Sequence, residues 1–154
     1  MVNAAGRGQV STASHCVSRQ AIAARPEGIR LDLDNAGSRQ GFGLAPLTDF
    51  TVPILEVAVR NSDLGGVFDH LLSTDLVKAY KPDPRSYQMG LDAFSLPRDQ
   101  IAFVAFGGWD AAGAKTFGFP TIWVNRLNVP TEHLGVLPDA IASDFKALPG
   151  FVGL

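Results

Sequence analysis

Residues 101–126 read IAFVAFGGWDAAGAKTFGFPTIWVNR, and this stretch decides the fold. Its first five residues are an apolar run of strand length, and a helix over 109–117 follows, ended by Gly118. Residues 121–124 then form a second apolar strand. A helix between two strands that carry almost no polar residue is typical of a parallel sheet covered on both faces.

The same alternation extends in both directions from this unit. Tyr87, Leu91 and Phe94 have the spacing of one buried helix stripe. The other predicted elements are a strand over 44–48, a helix over 52–60 capped by Thr51, a strand over 70–74, a helix opened by Asp83-Pro84, a strand over 140–142 and a short helix from Asp144. The predicted fold is therefore α/β, a Rossmann-type parallel sheet with helices on both faces.

Composition limits the classes of function. The chain has 154 residues, a formal net charge of −2 and 46% hydrophobic residues, as expected for one globular domain. No basic stripe indicates a nucleic-acid partner, and no apolar run approaches the roughly 18 residues of a membrane span. A single cysteine, Cys16, excludes an intrachain disulfide and favours the cytoplasm as the compartment.

Residues 1–40 differ in character from residues 41–154. They are rich in Ala, Arg, Ser and Gly, and no acidic residue occurs before Glu27. A mitochondrial transit peptide, a disordered leader and an N-terminus not native to the rest of the chain are all compatible with this composition. We therefore divide the chain into an atypical N-terminal segment and a core domain that begins at residue 41.

Ligands of such sheets bind at the carboxyl ends of the strands, so the residues that follow each strand are the candidates. Each candidate has a plain structural alternative: a lysine is often merely solvated, Thr48 suits a turn, and Asp110 suits a helix cap. Tyr87 lies on the apolar stripe and is equally plausible as core. Trp109 and Trp123 are interpreted as packing residues, and Arg126 as a surface or salt-bridge residue. The candidate site residues are Thr48, Asp49, Lys81, Tyr87 and Asp110.

From Gly43 onward the motifs resemble the second half of a 2-haloacid dehalogenase of the haloacid dehalogenase superfamily. Four segments occur in the family's order: Leu47-Thr48-Asp49-Phe50-Thr51, Lys81-Pro82-x-Pro84-x-x-Tyr87, Phe103 to Ala114 with Phe117 to Arg126, and Pro138-Asp139 to Leu148. One such motif is weak evidence, whereas four in register are specific.

The resemblance implies a reaction and a set of roles. In this family an aspartate attacks the carbon that bears the halogen, displaces halide and forms an ester that water hydrolyses. Lys81, Asp110 and Tyr87 would be the catalytic residues, and Thr48 and Asp49 would bind the substrate's carboxylate. The expected partner is a small carboxylate substrate, with no cofactor, and a homodimer is compatible with the family.

Three departures from the family pattern stand out. Ala105, Phe106 and Gly107 occupy the loop where dehalogenases usually carry Ser and Asn, and Asp49 stands where Asn is usual, which adds negative charge beside an anion site. The nucleophile motif is not recognisable before Thr48. Asp32 and Asp34 imitate it, but Asp34 lies too close to Thr48 for a parallel crossover, which needs roughly a dozen residues plus the strand.

The missing nucleophile strand belongs in the middle of the family's sheet, between the strand of Thr48 and the strand before Asp110. Without it the sheet has two unpaired inner edges. Three outcomes are open: residues 1–40 supply a substitute strand, the two halves close differently, or the chain is a marginal fragment. The helical cap that precedes the second half in this family is not recognisable either.

Three functions follow. The leading hypothesis is a dehalogenase-like hydrolase whose present chain is incomplete and inactive. The second is a degenerate, non-catalytic domain that binds a small carboxylate or a protein partner. A phosphatase is disfavoured, because magnesium in such sites needs paired acids and residues 111–115 contain none. His15, Cys16, His70 and His133 show no metal-ligand spacing.

Overall fold

The computed structural model describes the backbone of residues 21–24 and residues 42–62 and 64–153 in full. These ranges contain seven strands, four α-helices and three short 3-10 helices. The strands are β1 (Ala21–Ala24), β2 (Gly43–Ala45), β3 (Leu47–Thr48), β4 (Leu72–Ser73), β5 (Ile101–Ala105), β6 (Thr121–Val124) and β7 (Ala140–Ala142). The helices are α1 (Val52–Arg60), α2 (Pro84–Phe94), α3 (Gly108–Phe117) and α4 (Leu148–Phe151).

Among these elements, five strands form one sheet in the order β2-β1-β5-β6-β7, and β3 and β4 pair separately. The β5–β6, β6–β7 and β3–β4 pairs are parallel, as the apolar strands predicted. β1 runs antiparallel to both of its neighbours, β2 and β5. The α/β prediction is confirmed, and the sheet is mixed rather than wholly parallel.

β1 lies between β5 and β2, the first part of the strand predicted over 44–48. This is the place where the resemblance to the family puts the nucleophile strand. Ala21 pairs with Val104 and Ala24 with Ile101, so four consecutive residues close the gap. Of the three outcomes left open, the structure therefore shows a substitute strand from the N-terminal segment. The other residues of segment 1–40, including Asp32 and Asp34, lie outside the described residues.

Local sequence explains the helix boundaries. α1 begins after Thr51, although the threonine side chain makes no capping hydrogen bond. α2 begins after Asp83, whose carboxylate accepts the Arg85 amide at 2.9 Å and is a true N-cap. α3 ends at Gly118, whose φ of 108° suits a residue without a Cβ.

Three elements differ from their predictions. The strand predicted over 44–48 is divided at Pro46 into β2 and β3, which belong to different sheets. The second strand contains Leu72 and Ser73 instead of all of residues 70–74, because a 3-10 helix over Thr74–Val77 follows at once. α3 starts one residue earlier than predicted, at Gly108, and its N-cap is Gly107. A short 3-10 turn leaves no periodicity in the sequence, so the pattern of apolar residues does not indicate where β4 ends.

Apolar side chains cover both faces of the sheet. Phe103, Tyr87 and Trp123 belong to the larger core, which lies beneath α2 and α3. Val104 and Ile122 point to the opposite face, where Phe145 and Leu148 near the C-terminus cover them. The predicted stripe of α2 is only partly hidden: Tyr87 is fully buried, whereas Leu91 and Phe94 are half-buried against the core.

Candidate active site

Four chain segments bring the candidate side chains to one edge of the sheets. Thr48 ends β3, Lys81 lies in the loop that follows β4, and Asp110 lies in the first turn of α3, just after β5. Tyr87 comes from the first half of α2. Because β3, β4 and β5 all end at this edge, residues distant in sequence meet there.

The centre of the site is a buried ion pair. Lys81 Nζ lies 3.0 Å from Asp110 Oδ2 and donates a second hydrogen bond of 3.1 Å to the carbonyl of Leu47. The lysine side chain is 1% exposed and the aspartate side chain 0%. Removing one member of such a pair leaves an uncompensated buried charge, at a cost of about 3–5 kcal/mol.

Asp110 therefore does not cap α3. The N-cap residue is Gly107, and a glycine has no side chain that could cap the helix. The carboxylate of Asp110 instead accepts hydrogen bonds from Lys81 and Tyr87. Burial raises the pKa of the Asp110 carboxyl, while the Lys81 ammonium and the hydrogen bond from Tyr87 oppose this rise. The helix-cap alternative is thus excluded by geometry.

Tyr87 belongs to both the core and the site. Its hydroxyl donates to Asp110 Oδ1 at 2.9 Å, and its ring packs edge-on against Phe103 at 5.6 Å. Burial raises the pKa of Tyr87 above its ordinary value, and the charge of Asp110 raises it further. The two readings of this residue are therefore compatible.

Gly113 lets α3 approach this tyrosine. A Cβ built on Gly113 would overlap the Tyr87 hydroxyl and would lie 2.7 Å from the Cβ of Pro82. Since real carbon atoms do not approach so closely, glycine is required here for the helix to pack against the lysine motif.

Thr48 and Asp49 differ in what they face. Thr48 is 3% exposed, and its Oγ1 accepts the amide of Phe50 at 3.3 Å, which is a turn interaction. Asp49 Oδ1 accepts the hydroxyl of Thr74 at 3.0 Å and the backbone amide of Lys81 at 3.2 Å. The carboxylate of Asp49 thus faces the loop that carries the lysine.

Two buried polar residues of the site were missed by sequence reasoning. Ser73 donates from its hydroxyl to the carbonyl of Phe50, and Thr74 donates to Asp49. Both are 0% exposed. Their signal was present, because the polar pair Ser73-Thr74 directly follows the apolar pair Leu71-Leu72, but both polar residues were assigned to the strand predicted over 70–74.

The two tryptophans behave differently. Trp123 is 2% exposed and donates to the carbonyl of Phe106 at 2.9 Å, as expected of a packing residue. Trp109 is 41% exposed, and its ring centre lies 5.9 Å from Lys81 Nζ. Trp109 therefore covers the buried ammonium from the outside. Arg126 lies over the ring of Phe145 at 4.5 Å.

Within residues 21–24, 42–62 and 64–153, no group of three or more His, Cys, Asp or Glu residues is arranged to hold a metal ion. In the same part of the chain, no helix has the length and apolar character needed to cross a membrane.

Comparison with known proteins points to one family. The chain is 41% identical over 110 residues to an (S)-2-haloacid dehalogenase of Pseudomonas sp. strain YL, a match that covers 71% of this chain and 47% of that protein. The chain thus spans about half the length of the curated relatives it matches. No family model matches the sequence.

Solved structures agree. A crystal structure of an L-2-haloacid dehalogenase superposes with a TM-score of 0.68 at 43% identity, covering 71% of this chain and 48% of that one. An L-2-haloacid dehalogenase from Xanthobacter autotrophicus, with chloropropionic acid covalently bound, gives a TM-score of 0.66 at 27% identity over 70% of this chain and 54% of that one.

The fold and the Lys81–Asp110 site define a domain of the haloacid dehalogenase superfamily. Identity with the curated relatives narrows this assignment, and the matched part of the chain belongs to the superfamily's 2-haloacid dehalogenase branch. The resemblance seen in the motifs is thereby confirmed.

Proposed function

We propose that this chain carries the lysine-bearing half of a 2-haloacid dehalogenase-type site and that the chain alone does not release halide. Its relatives are named as dehalogenases of haloacetate and of (S)-2-haloacids. The buried Lys81–Asp110–Tyr87 network supports the first part of the proposal, because it supplies a preorganised cation at the carboxyl ends of the strands.

In the complete reaction, an aspartate oxygen would form a bond to the carbon bearing the halogen as halide leaves with the bonding electrons. Water would then hydrolyse the resulting ester and return the aspartate, giving a 2-hydroxy acid and a proton. Lys81 would stabilise the anionic groups of this pathway. The hydroxyl of Thr48, whose oxygen accepts the amide of Phe50, would donate its own hydrogen bond to the substrate's carboxylate.

The direction of β1 is the observation that carries the second part. In a parallel strand, the residue that follows the strand would arrive at the edge where Lys81 lies. β1 is antiparallel to β5, so its first residue, Ala21, pairs near the site end and Ala24 pairs at the far end. The residue of β1 nearest the site edge is thus Ala21, and the sequence before it, residues 1–20, contains no Asp or Glu.

Halide release from L-2-chloropropionate tests this proposal. We expect no release above background by the purified full chain under conditions in which a complete dehalogenase turns over. Release above background would overturn the proposed inactivity, and its loss in Asp32→Asn or Asp34→Asn would then identify the nucleophile.

A second function, binding of a small carboxylate without turnover, has support of its own. Lys81 and Thr48 are both buried at the site edge, whereas β1, which pairs with β5, contains no carboxylate residue. Calorimetry with 2-hydroxypropionate and with 2-chloropropionate should show binding that the substitution Lys81→Met abolishes. Equal heats for both proteins would contradict a carboxylate site at Lys81.

We also propose a cytoplasmic location, supported by the single cysteine.

A further inference from the structure

The loop that carries Lys81 is tied to a distant part of the chain by one carboxylate oxygen. Asp49 Oδ1 accepts the backbone amide of Lys81 at 3.2 Å and the hydroxyl of Thr74 at 3.0 Å. Asp49 and Lys81 lie 32 positions apart in the sequence. This oxygen therefore joins the turn after β3 to both ends of the segment that follows β4.

This segment has little regular structure of its own. Its 3-10 helix ends at Val77, and the next residue, Lys78, adopts the left-handed conformation with φ of 48°. Neither helix nor strand contains Lys81, and α2 begins at Pro84. A long-range hydrogen bond to the Lys81 amide is thus a main restraint on where the lysine backbone lies.

The lysine is held at both ends by carboxylates. Asp49 holds its backbone amide, and Asp110 holds its ammonium at 3.0 Å. A second link strengthens the first, because Ser73 donates to the carbonyl of Phe50, the residue after Asp49. A buried side chain with both ends fixed has few alternative rotamers, which suits a group that must meet a substrate in one geometry.

We propose that Asp49 is a positioning residue for Lys81 and not a contact to substrate. The importance of that position rests on the proposed function, in which Lys81 stabilises anions. The positioning itself is a property of the folded chain. It revises the expectation from sequence that Asp49 binds the substrate's carboxylate.

The oxygen, not the charge, performs the positioning. An asparagine at residue 49 keeps an acceptor oxygen at the same place, whereas alanine removes it. Asp139 offers a matched control, since its carboxylate also accepts one backbone amide, that of Thr121 at 2.8 Å, and one side-chain donor, Lys115 at 2.6 Å. It holds a different part of the fold.

The test is the reactivity of the Lys81 amine toward acetic anhydride in the full-length chain, measured by mass spectrometry relative to the exposed Lys146. In the native protein Lys81 is shielded, with a side chain 1% exposed. We expect Asp49→Ala to raise the relative labelling rate by about ten-fold or more, which corresponds to about 1.4 kcal/mol of lost local restraint. Asp49→Asn should stay within about two-fold of the native rate, since its oxygen remains.

Three results would overturn the proposal. Unchanged labelling in Asp49→Ala would show that the amide bond restrains nothing. Equal increases in the alanine and asparagine variants would assign the effect to charge. An equal increase in Asp139→Ala would assign it to general loosening of the fold. None of these results depends on turnover, so an absence of carboxylate binding would count against the proposed function alone.

Discussion

At the scale of single residues, Tyr87 links the core to the site most directly. Its ring lies among Phe103, Phe117 and Phe119, and its hydroxyl donates to the Asp110 carboxylate. Ionising this hydroxyl would place two negative charges in contact within a buried space. Folding therefore favours the neutral form of the tyrosine strongly.

This preference predicts a loss of stability in alkali. The pKa of Tyr87 is raised by burial above its ordinary value of 10.0, so above that pH the unfolded chain releases a proton that the folded chain keeps. The free energy of unfolding should then fall by about 1.4 kcal/mol for each further pH unit from this group. Below pH 10 the group should contribute no slope.

Urea unfolding of the native chain and of Tyr87→Phe, followed from neutral pH to above pH 10, measures this effect. The phenylalanine variant should be less stable at neutral pH by about 1.5–3 kcal/mol, because a hydrogen bond to a charged group is lost. The gap should narrow as the pH rises above 10. A constant gap over the whole range would show that Tyr87 titrates alike in both states.

The residues of this network differ in how far sequence could predict them. Lys81, Tyr87 and Asp110 follow strands or lie on an apolar stripe, so motif spacing and strand ends indicate them. The bond from Thr74 to Asp49 is different, because it depends on how closely two irregular loops approach. No local pattern records that distance.

At the scale of elements, α2 carries one buried polar group that makes no hydrogen bond in the described structure. The hydroxyl of Ser86 is buried, and among the described residues it has no hydrogen-bond partner. Ser73, equally buried, donates to the carbonyl of Phe50. The same substitution at these two sites should therefore have opposite effects.

We expect Ser86→Ala to leave the free energy of unfolding unchanged or to raise it by up to about 1 kcal/mol, because an unsatisfied hydroxyl is removed. Ser73→Ala should lower it by about 1–3 kcal/mol, since the carbonyl of Phe50 loses its donor. Chemical unfolding of both variants measures the difference. A marked loss of stability in Ser86→Ala would show that this hydroxyl has a partner.

Element boundaries were predictable where a chemical signal marks them. α1 spans Val52–Arg60 as predicted, and Asp83 with Pro84 opens α2 as predicted. The end of β4 was not, because the turn into the 3-10 helix begins within a run of polar and apolar residues that also suits a strand. Such a short turn is decided by the hydrogen bonds of Ser73 and Thr74, which form only in the folded chain.

At the scale of the whole molecule, parallel pairing of β5, β6 and β7 followed from their apolar composition, whereas β1 could not be predicted. Four residues, Ala21–Ala24, carry no turn signal and no sustained alternation. Their pairing partner, β5, is far away in sequence. Strand formation at these residues therefore depends on the unpaired edges of β2 and β5 in the folded chain and not on local propensity.

The position of β1 has a consequence for how the protein opens. Within the described residues, β2 reaches the rest of its sheet through β1 alone, and β1 pairs with a strand some eighty residues later. Pairing strands so far apart in sequence closes a long loop, which costs conformational entropy. The pairings of β1 with β2 and β5 should therefore form last and separate first. In native-state hydrogen exchange, the amides of β1 should lose protection at lower denaturant than those of β6. The Lys81–Asp110 ion pair, together with the core that Leu47 and Leu72 share with Phe103, would still join the two parts of the chain.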